Sequence, residues 1–169
     1  MSKAAAASQN PKKNVEKLIV SNKRATFDYF VDSKIETGIE LKGSEVKSCR
    51  EAHVQLVDSF ASIDKGEMYL HKAHIGEFKQ SGPYFNHIPT RKRKLLVHKR
   101  EIKKLEILME QKGFTLVPLR MYFKGPVVKV EIGVAKGKTR GDKRSTLKEK
   151  DVKREMQVAV RRTSKYKED

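Results

Sequence analysis

Apolar and polar positions alternate with period two through most of the middle of the chain and take a helical period only briefly. Ile35, Thr37, Ile39 and Leu41 fall on one face of an extended segment, with Glu36 and Glu40 on the other, which predicts a half-buried strand. Phe27 to Val31, aromatic and β-branched, predicts another. Gly43-Ser44 predicts the start of a short helix: the Ser44 hydroxyl is able to cap it, and Val46, Cys49 and the stem of Arg50 follow at helical spacing. Val54 to Ile63 alternates in patches, Asp64-Lys65-Gly66-Glu67 is a hairpin-turn signal, and Met68-Tyr69-Leu70 leads a return strand towards Ile75. Gln80-Ser81-Gly82-Pro83 and the residues to Pro89 predict a loop. Ile102, Leu105, Leu108 and Met109 recur at helical spacing with lysines opposite, predicting a helix over 98–112 that Gly113 stops. Phe114 to Phe123 and Val127 to Val134 predict two strands joined through Lys124-Gly125-Pro126, with Val128, Val130, Ile132 and Val134 on one face.

About six short strands joined mostly by tight turns imply antiparallel pairing, and closing them removes exposed edges. The expected class is mainly β: a small antiparallel OB-like β-barrel, closed or partly open, with two to three helices and a flexible basic C-terminal tail. A split α+β sandwich is the alternative. Residues 18–135 hold nearly all the aromatics and most large aliphatics, and are the expected packing domain. Residues 1–17, rich in Ala, Ser, Asn and Lys, lack the apolar surface to offset ordering entropy and are expected to be a disordered arm. Residues 136–169 carry a net charge of +7 and open with two glycines and five cations in nine residues, so the tail is expected not to fold alone. Within it Val152, Met156, Ala159 and Val160 make a narrow apolar stripe, the pattern of a helix that forms only against a large polyanion.

Charge narrows the function. The 169 residues include 38 Lys+Arg and 21 Asp+Glu, a formal net charge of +17. Such an excess favours a polyanionic partner, nucleic acid ahead of an acidic membrane surface, which calls for bulkier apolar residues than the tail stripe has. No stretch approaches the ~18 apolar residues of a membrane span, and no apolar run follows the first lysine as in a secretory signal. The single cysteine, Cys49, excludes an internal disulfide, fits a reducing cytoplasm, and lies on the apolar side of its helix, where a buried thiol is expected. His71 and His74, three apart on an expected strand, point to opposite faces, and no histidine has the company a zinc site needs. There is no phosphate-binding glycine motif and no paired nucleophile and base. No metal, cofactor or catalytic residue is expected. The cations point elsewhere. Residues 91–104 hold eight Lys or Arg against the single acid Glu101, a density suited to RNA phosphates. Asn22-Lys23-Arg24 adds an amide and two cations ahead of the first expected strand. Glu36 and Glu40 are acidic spots whose expected role is a strand-surface salt bridge. Composition leaves open an RNA-binding adaptor, a structural ribosomal protein, and a small RNA-processing enzyme using Glu36, Glu40 and Asp142.

Several segments resemble one family in order and spacing: Asn22-Lys23-Arg24-Ala25; Gly38-x-x-Leu41-x-Gly43-Ser44-Glu45-Val46-Lys47-Ser48; Pro89-Thr90-Arg91-x-Arg93-Lys94-Leu95-Leu96; Gly133-Val134-Ala135-Lys136-Gly137-Lys138 with Asp142-Lys143-Arg144; and Lys148-Glu149-x-Asp151-x-Lys153-Arg154-Glu155. From about Asn22 to Arg162 the chain resembles the SsrA-binding protein (SmpB) family. The resemblance implies an OB-like barrel that binds the tRNA-like domain of tmRNA and stands in for its missing anticodon arm in the rescue of stalled bacterial ribosomes by trans-translation. It implies cytoplasmic work as a monomer, with elongation factor Tu carrying the complex and alanyl-tRNA synthetase charging the RNA. Asn22, Lys23, Glu36 and Leu96 match positions the family uses against tmRNA, with Arg24, Arg91, Arg93 and Lys94 as expected backbone clamps beside them. Lys136, Lys138, Asp142, Lys143 and Arg144 match the family's tail motif, which acts at the decoding centre of the small subunit. Asp151, Lys153 and Arg154 match the helix that enters the empty mRNA channel. One departure stands out: Gly141 occupies a position where the family commonly has His or Tyr, and glycine cannot stack. Either that contact is absent or Arg140, whose planar guanidinium is able to stack on a base, takes its place.

Overall fold

Alternation becomes pairing most completely in the two longest hairpin strands, β8 (Phe114–Lys124) and β9 (Val127–Gly137), which turn at Gly125, where φ is +60°. The computed structural model describes residues 16–82, 86–110, 113–139, 141–147, 152 and 154–157. Before this hairpin come β1 (Glu16–Ser21), α1 (Lys23–Asp28), β2 (Tyr29–Ile39), α2 (Gly43–Arg50), β3 (Val54–Gln55), β4 (Phe60–Asp64), β5 (Glu67–His71), β6 (His74–Ile75), β7 (Arg93–Leu96) and α3 (Lys99–Glu110). Lys65 and Gly66 both take positive φ, 51° and 72°, the geometry of the tight turn expected between β4 and β5.

All pairings are antiparallel, and they run round six strands: β8–β4–β5–β7–β2–β9 and back to β8. The seam is thin. A single residue pair, Ala61 with Leu116, joins β4 to β8, and two pairs join β2 to β7. The ring is therefore not closed as a barrel, and the mainly β class holds. β1 adds to the other end of the β4-side edge of β8, while β3 and β6 form a separate two-stranded sheet. The interior is filled by Met68, Leu70, Leu95, Leu116, Met121, Val130, Ile132 and Val134, with Ile102 and Leu105 of α3 also buried. Truncating one such side chain to alanine costs about 2–5 kcal/mol.

Several local expectations change. The strand expected over 27–31 begins only at Tyr29, because Asn22 ends β1 and caps α1: its Oδ1 accepts the Ala25 N–H at 3.1 Å. The first strand itself, Glu16–Ser21, crosses the boundary drawn at residue 17 and pairs with Lys124–Arg120. Ser44 does not cap α2. The Lys42 N–H donates to the Glu45 carboxylate at 2.7 Å instead, and the Ser44 hydroxyl pairs with His87 Nδ1 at 2.9 Å. The helix expected over 98–112 is α3, Lys99–Glu110; residues 111 and 112 lie outside the described residues. Residues 141–147 are helical, where composition predicts no helix without a polyanion. The cause is local capping. Thr139 N–H and Oγ1 both donate to Asp142 Oδ2, at 3.0 and 2.6 Å, and Asp142 N–H returns a bond to Thr139 Oγ1.

Candidate nucleic-acid interface

The middle of β2 carries Glu36 outward while Gly38 brings the end of β7 close. A Cβ on Gly38 would lie 3.1 Å from Leu96 Cβ, so only glycine permits this approach without displacement. The result is an open cleft of about 420 Å³ lined by Glu36, Leu96, Val97, His98, Glu101 and Lys129. Leu96 is 55% exposed. Glu36 accepts from Tyr122 Oη at 2.6 Å and Lys124 Nζ at 3.0 Å, with Lys129 Nζ at 3.7 Å. The Tyr122 hydrogen bond and then these lysines hold its carboxyl below the usual carboxylate range. Burial and the same bond push the Tyr122 phenol up, so at neutral pH the phenol is the donor. The salt bridge expected of Glu36 is present, and its oxygens are fixed as acceptors at the rim of the cleft.

Arg91, Arg93 and Lys94 are all engaged by acids. Glu45, on the inner face of α2, is fully buried. Arg91 grips it with two bonds, Nε to Oε1 at 2.8 Å and Nη2 to Oε2 at 2.6 Å. Arg93 is buried as well, donating to Glu45 Oε1 at 2.9 Å and to the carbonyls of Ala73, Arg91 and Pro89. Burial raises the Glu45 pKa, but the Arg91 bonds, the Lys42 N–H and both guanidinium charges more than offset it, leaving the carboxyl below its ordinary value. A buried guanidinium does not reach an RNA on the surface, so the expected backbone clamp at Arg93 is instead a tie between β7 and α2. Lys94 pairs with Glu67, which also accepts from Tyr69 Oη at 2.6 Å.

The Asn22 segment splits in the same way. Asn22 is buried, and its Nδ2 donates to the carbonyls of Leu56 at 2.8 Å and Pro118 at 3.1 Å. Lys23 is exposed, while Arg24 lies 3.4 Å from Asp28 and 3.6 Å from Asp58. In the tail, Lys136 and Arg144 are exposed. Lys138 Nζ sits 4.7 Å above the ring of Phe30 and bonds the Thr26 carbonyl at 3.2 Å. Lys143 Nζ reaches Asp28 Oδ1 at 2.7 Å, which with burial opposing holds the Asp28 carboxyl below its usual range. Asp142 lies in the first turn of helix 141–147 and bonds back to the capping Thr139, its pKa lowered by the Thr139 hydrogen bonds. Arg154 is exposed, and Arg140, Asp151 and Lys153 lie outside the described residues.

Sequence reasoning missed Tyr122, Lys124 and Lys129 around Glu36, and Glu45 beneath Arg91 and Arg93. The alternation of β9 was a usable signal for Lys129, which shares the outward face opposite Val128 and Val130. Elsewhere the chemistry is quiet. Burial pushes the Cys49 thiol up to about 12, far from a thiolate. Among the described residues no group of three or more His, Cys, Asp or Glu is placed to hold a metal ion, and no helix is long and apolar enough to cross a membrane.

The chain is similar to known proteins. Residues 19–162 match the family model described as SmpB protein. The chain is 48% identical to the SsrA-binding protein of Geobacillus thermodenitrificans over 149 residues, 88% of this chain and 96% of that one. It is 51% identical to that of Geotalea uraniireducens over 146 residues, 86% of this chain and 96% of that one. A solved structure described as "tmRNA-SmpB: a journey to the center of the bacterial ribosome" superposes with a TM-score of 0.62 at 44% identity, covering 76% of this chain and 93% of that one. By sequence and by fold, the chain belongs to the SmpB protein family.

Proposed function

We infer that this protein is an RNA-binding adaptor of trans-translation: it binds the tRNA-like domain of tmRNA and delivers it to stalled ribosomes. The observation that carries the reading is the Glu36–Leu96 cleft, which sets a fixed acceptor beside an exposed apolar side chain on the strand ring of a strongly basic chain of this family. Glu36 accepts hydrogen bonds from a ribose hydroxyl or base edge, Leu96 packs against an unstacked base, and Lys129 with exposed Lys23 takes phosphates. Asn22, Arg91 and Arg93 act from beneath by holding α1 and β7 in place. The tail, with Lys136, Lys138, Arg140, Asp142, Lys143 and Arg144, engages the decoding centre, and Asp151, Lys153 and Arg154 lie on the part that enters the empty mRNA channel.

No bond is made or broken by this chain, and it needs no cofactor. It works as a monomer in the cytoplasm, away from membranes. Elongation factor Tu and alanyl-tRNA synthetase act on the RNA it holds. Function follows from shape, cation placement and a tail that changes its partner. The test separates the two halves. Glu36→Ala with Leu96→Ala is expected to abolish binding of a tRNA-like-domain transcript, measured by fluorescence anisotropy. Asp142→Ala with Lys143→Ala and Arg144→Ala is expected to leave that affinity within a few-fold and to stop tagging of nascent chains on stalled ribosomes. Retained transcript binding by the first variant would sink the assignment of the cleft.

A further inference from the structure

The cationic run over 91–104 divides where β7 gives way to α3. Arg91 and Arg93 are taken by Glu45 and Lys94 by Glu67. Beyond them Lys99, Arg100, Lys103 and Lys104 are all exposed on α3, and among the described residues none of the four makes an ion pair or a hydrogen bond through its side chain. Their placement works against the helix that carries them. Lys99 and Arg100 occupy the first turn, where unpaired N–H groups already make the end positive, and Glu101 is the single acid there. Lys99–Lys103 and Arg100–Lys104 are like-charge pairs four residues apart, each repelling across one turn. The opposite side of α3 is fixed in the core by Ile102 and Leu105, so the charged side is held rigidly outward. Nothing in the fold calls for this arrangement, and several features of it oppose helix formation.

The charged face adjoins the cleft. His98 and Glu101, which line it beside Glu36, Leu96 and Lys129, belong to the start and first turn of α3. We propose that the Lys99–Arg100–Lys103–Lys104 face of α3 is a second tmRNA contact, a two-row clamp on the phosphate backbone of the tRNA-like domain continuous with the cleft. Each row rises about 6 Å along the helix axis, a compact, rigid array suited to successive phosphates of one strand. Lysine and arginine in this register contribute charge without reading sequence, so the face sets affinity and salt dependence while the cleft sets specificity. The inference rests on the adaptor reading and extends its surface by one helix.

The test uses the full-length protein and a transcript of the tRNA-like domain, with affinity measured by anisotropy across a salt series. K99Q/R100Q/K103Q/K104Q removes four charges, keeps good helix formers and relieves the repulsion, so its melting temperature is expected to equal or exceed that of the unmodified chain. Its plot of log affinity against log salt is expected to be shallower by about 3, with affinity at low salt down about tenfold or more. K99R/R100K/K103R/K104R, which keeps every charge, is expected to restore the unmodified slope. An unchanged slope in the glutamine variant overturns the proposal. So does normal transcript binding accompanied by weakened binding to ribosomes free of tmRNA, which would move the contact to ribosomal RNA. Failure of the unmodified chain to bind the transcript at any salt would bring down the adaptor reading itself, a result distinct from either.

Discussion

Arg91, Arg93 and Lys94 end on carboxylates; Lys99, Arg100, Lys103 and Lys104, a few residues further on, end in solvent. The two groups look alike in sequence and differ in physics. A guanidinium taken out of water loses hydration that only a well-placed acid and carbonyls replace, and Arg93 has both: Glu45 and three carbonyl oxygens. Its charge is cancelled at short range and contributes little to the field outside. The lysines of α3 keep their hydration, repel one another and project a field into solvent. Cation density along a chain therefore overstates the surface available to an RNA, and the count that matters is of cations without an acid beside them.

The sharpest way to break this comparison is to remove the buried acid. Glu45→Ala leaves two guanidinium groups facing a hole, one of them fully buried, and is expected to cost about 3–5 kcal/mol in unfolding free energy. The measurement is a urea titration, read as a lower midpoint at unchanged slope. Since β7 carries Leu96 at its end, loosening Arg93 is also expected to weaken RNA binding although Glu45 lies outside the cleft. A smaller loss is expected at Asn22, which caps α1 and satisfies two buried carbonyls: Asn22→Ala costs about 2 kcal/mol by the same titration. If Asn22→Ala proved neutral to stability yet destroyed RNA affinity, its placement among the inward-facing groups would be wrong.

The acid limb of the stability curve sharpens the same point. The Glu45 carboxyl lies below its ordinary value in the folded protein, so the unfolded chain takes up a proton first as pH falls. The stability this contributes is fully present above the unfolded pKa of about 4.3 and is lost as pH falls through the lower, folded value. Urea midpoints are expected to hold from neutral pH down to about pH 5 and to fall steeply below it. Glu45→Gln is expected to flatten part of that fall, while the four-glutamine α3 variant, which leaves Glu45 and its two arginines untouched, keeps it in place. Equal slopes for Glu45→Gln and the unmodified chain would mean the acid limb belongs to other carboxylates.

Much of the ring could be read directly. The alternation of Ile35 to Leu41 and of Val128 to Val134, with the Lys65-Gly66 turn, yields the strands that now pair around the core. What could not be read depends on distant partners. α1 is a six-residue helix fixed by Asn22, whose amide bonds residues 34 and 96 positions away. Glu45 reads as a surface acid in a polar helix, and only partners 46 and 48 residues on make its burial tolerable. β1 is a short edge strand entering from a lysine-rich arm, with little alternation to mark it. For the interface the residue types were legible and their directions were not: Glu36 and Leu96 meet at one cleft, while Arg93 turns inward because the fold needs a donor there more than the surface does.

The smallest expected effect comes from Lys94, more exposed than Arg91 or Arg93. Lys94 and Glu67 form an ion pair in which each side chain keeps roughly 40% of its surface, at 38% and 43%. Water screens such a pair and competes for both ends, so its formation adds little to stability. Glu67→Gln is therefore expected to leave the urea midpoint within error. Its effect on RNA should be opposite in sign to that of the cleft variant and the four-glutamine α3 variant: removing an acid beside β7 frees Lys94 and raises the local potential, so transcript affinity at low salt rises by a small factor and the gain disappears as salt is added. A fall in affinity would mean that Glu67 holds Lys94 in a productive position, and would place Lys94 with the organised groups around Glu45 instead of with cations that an RNA could recruit.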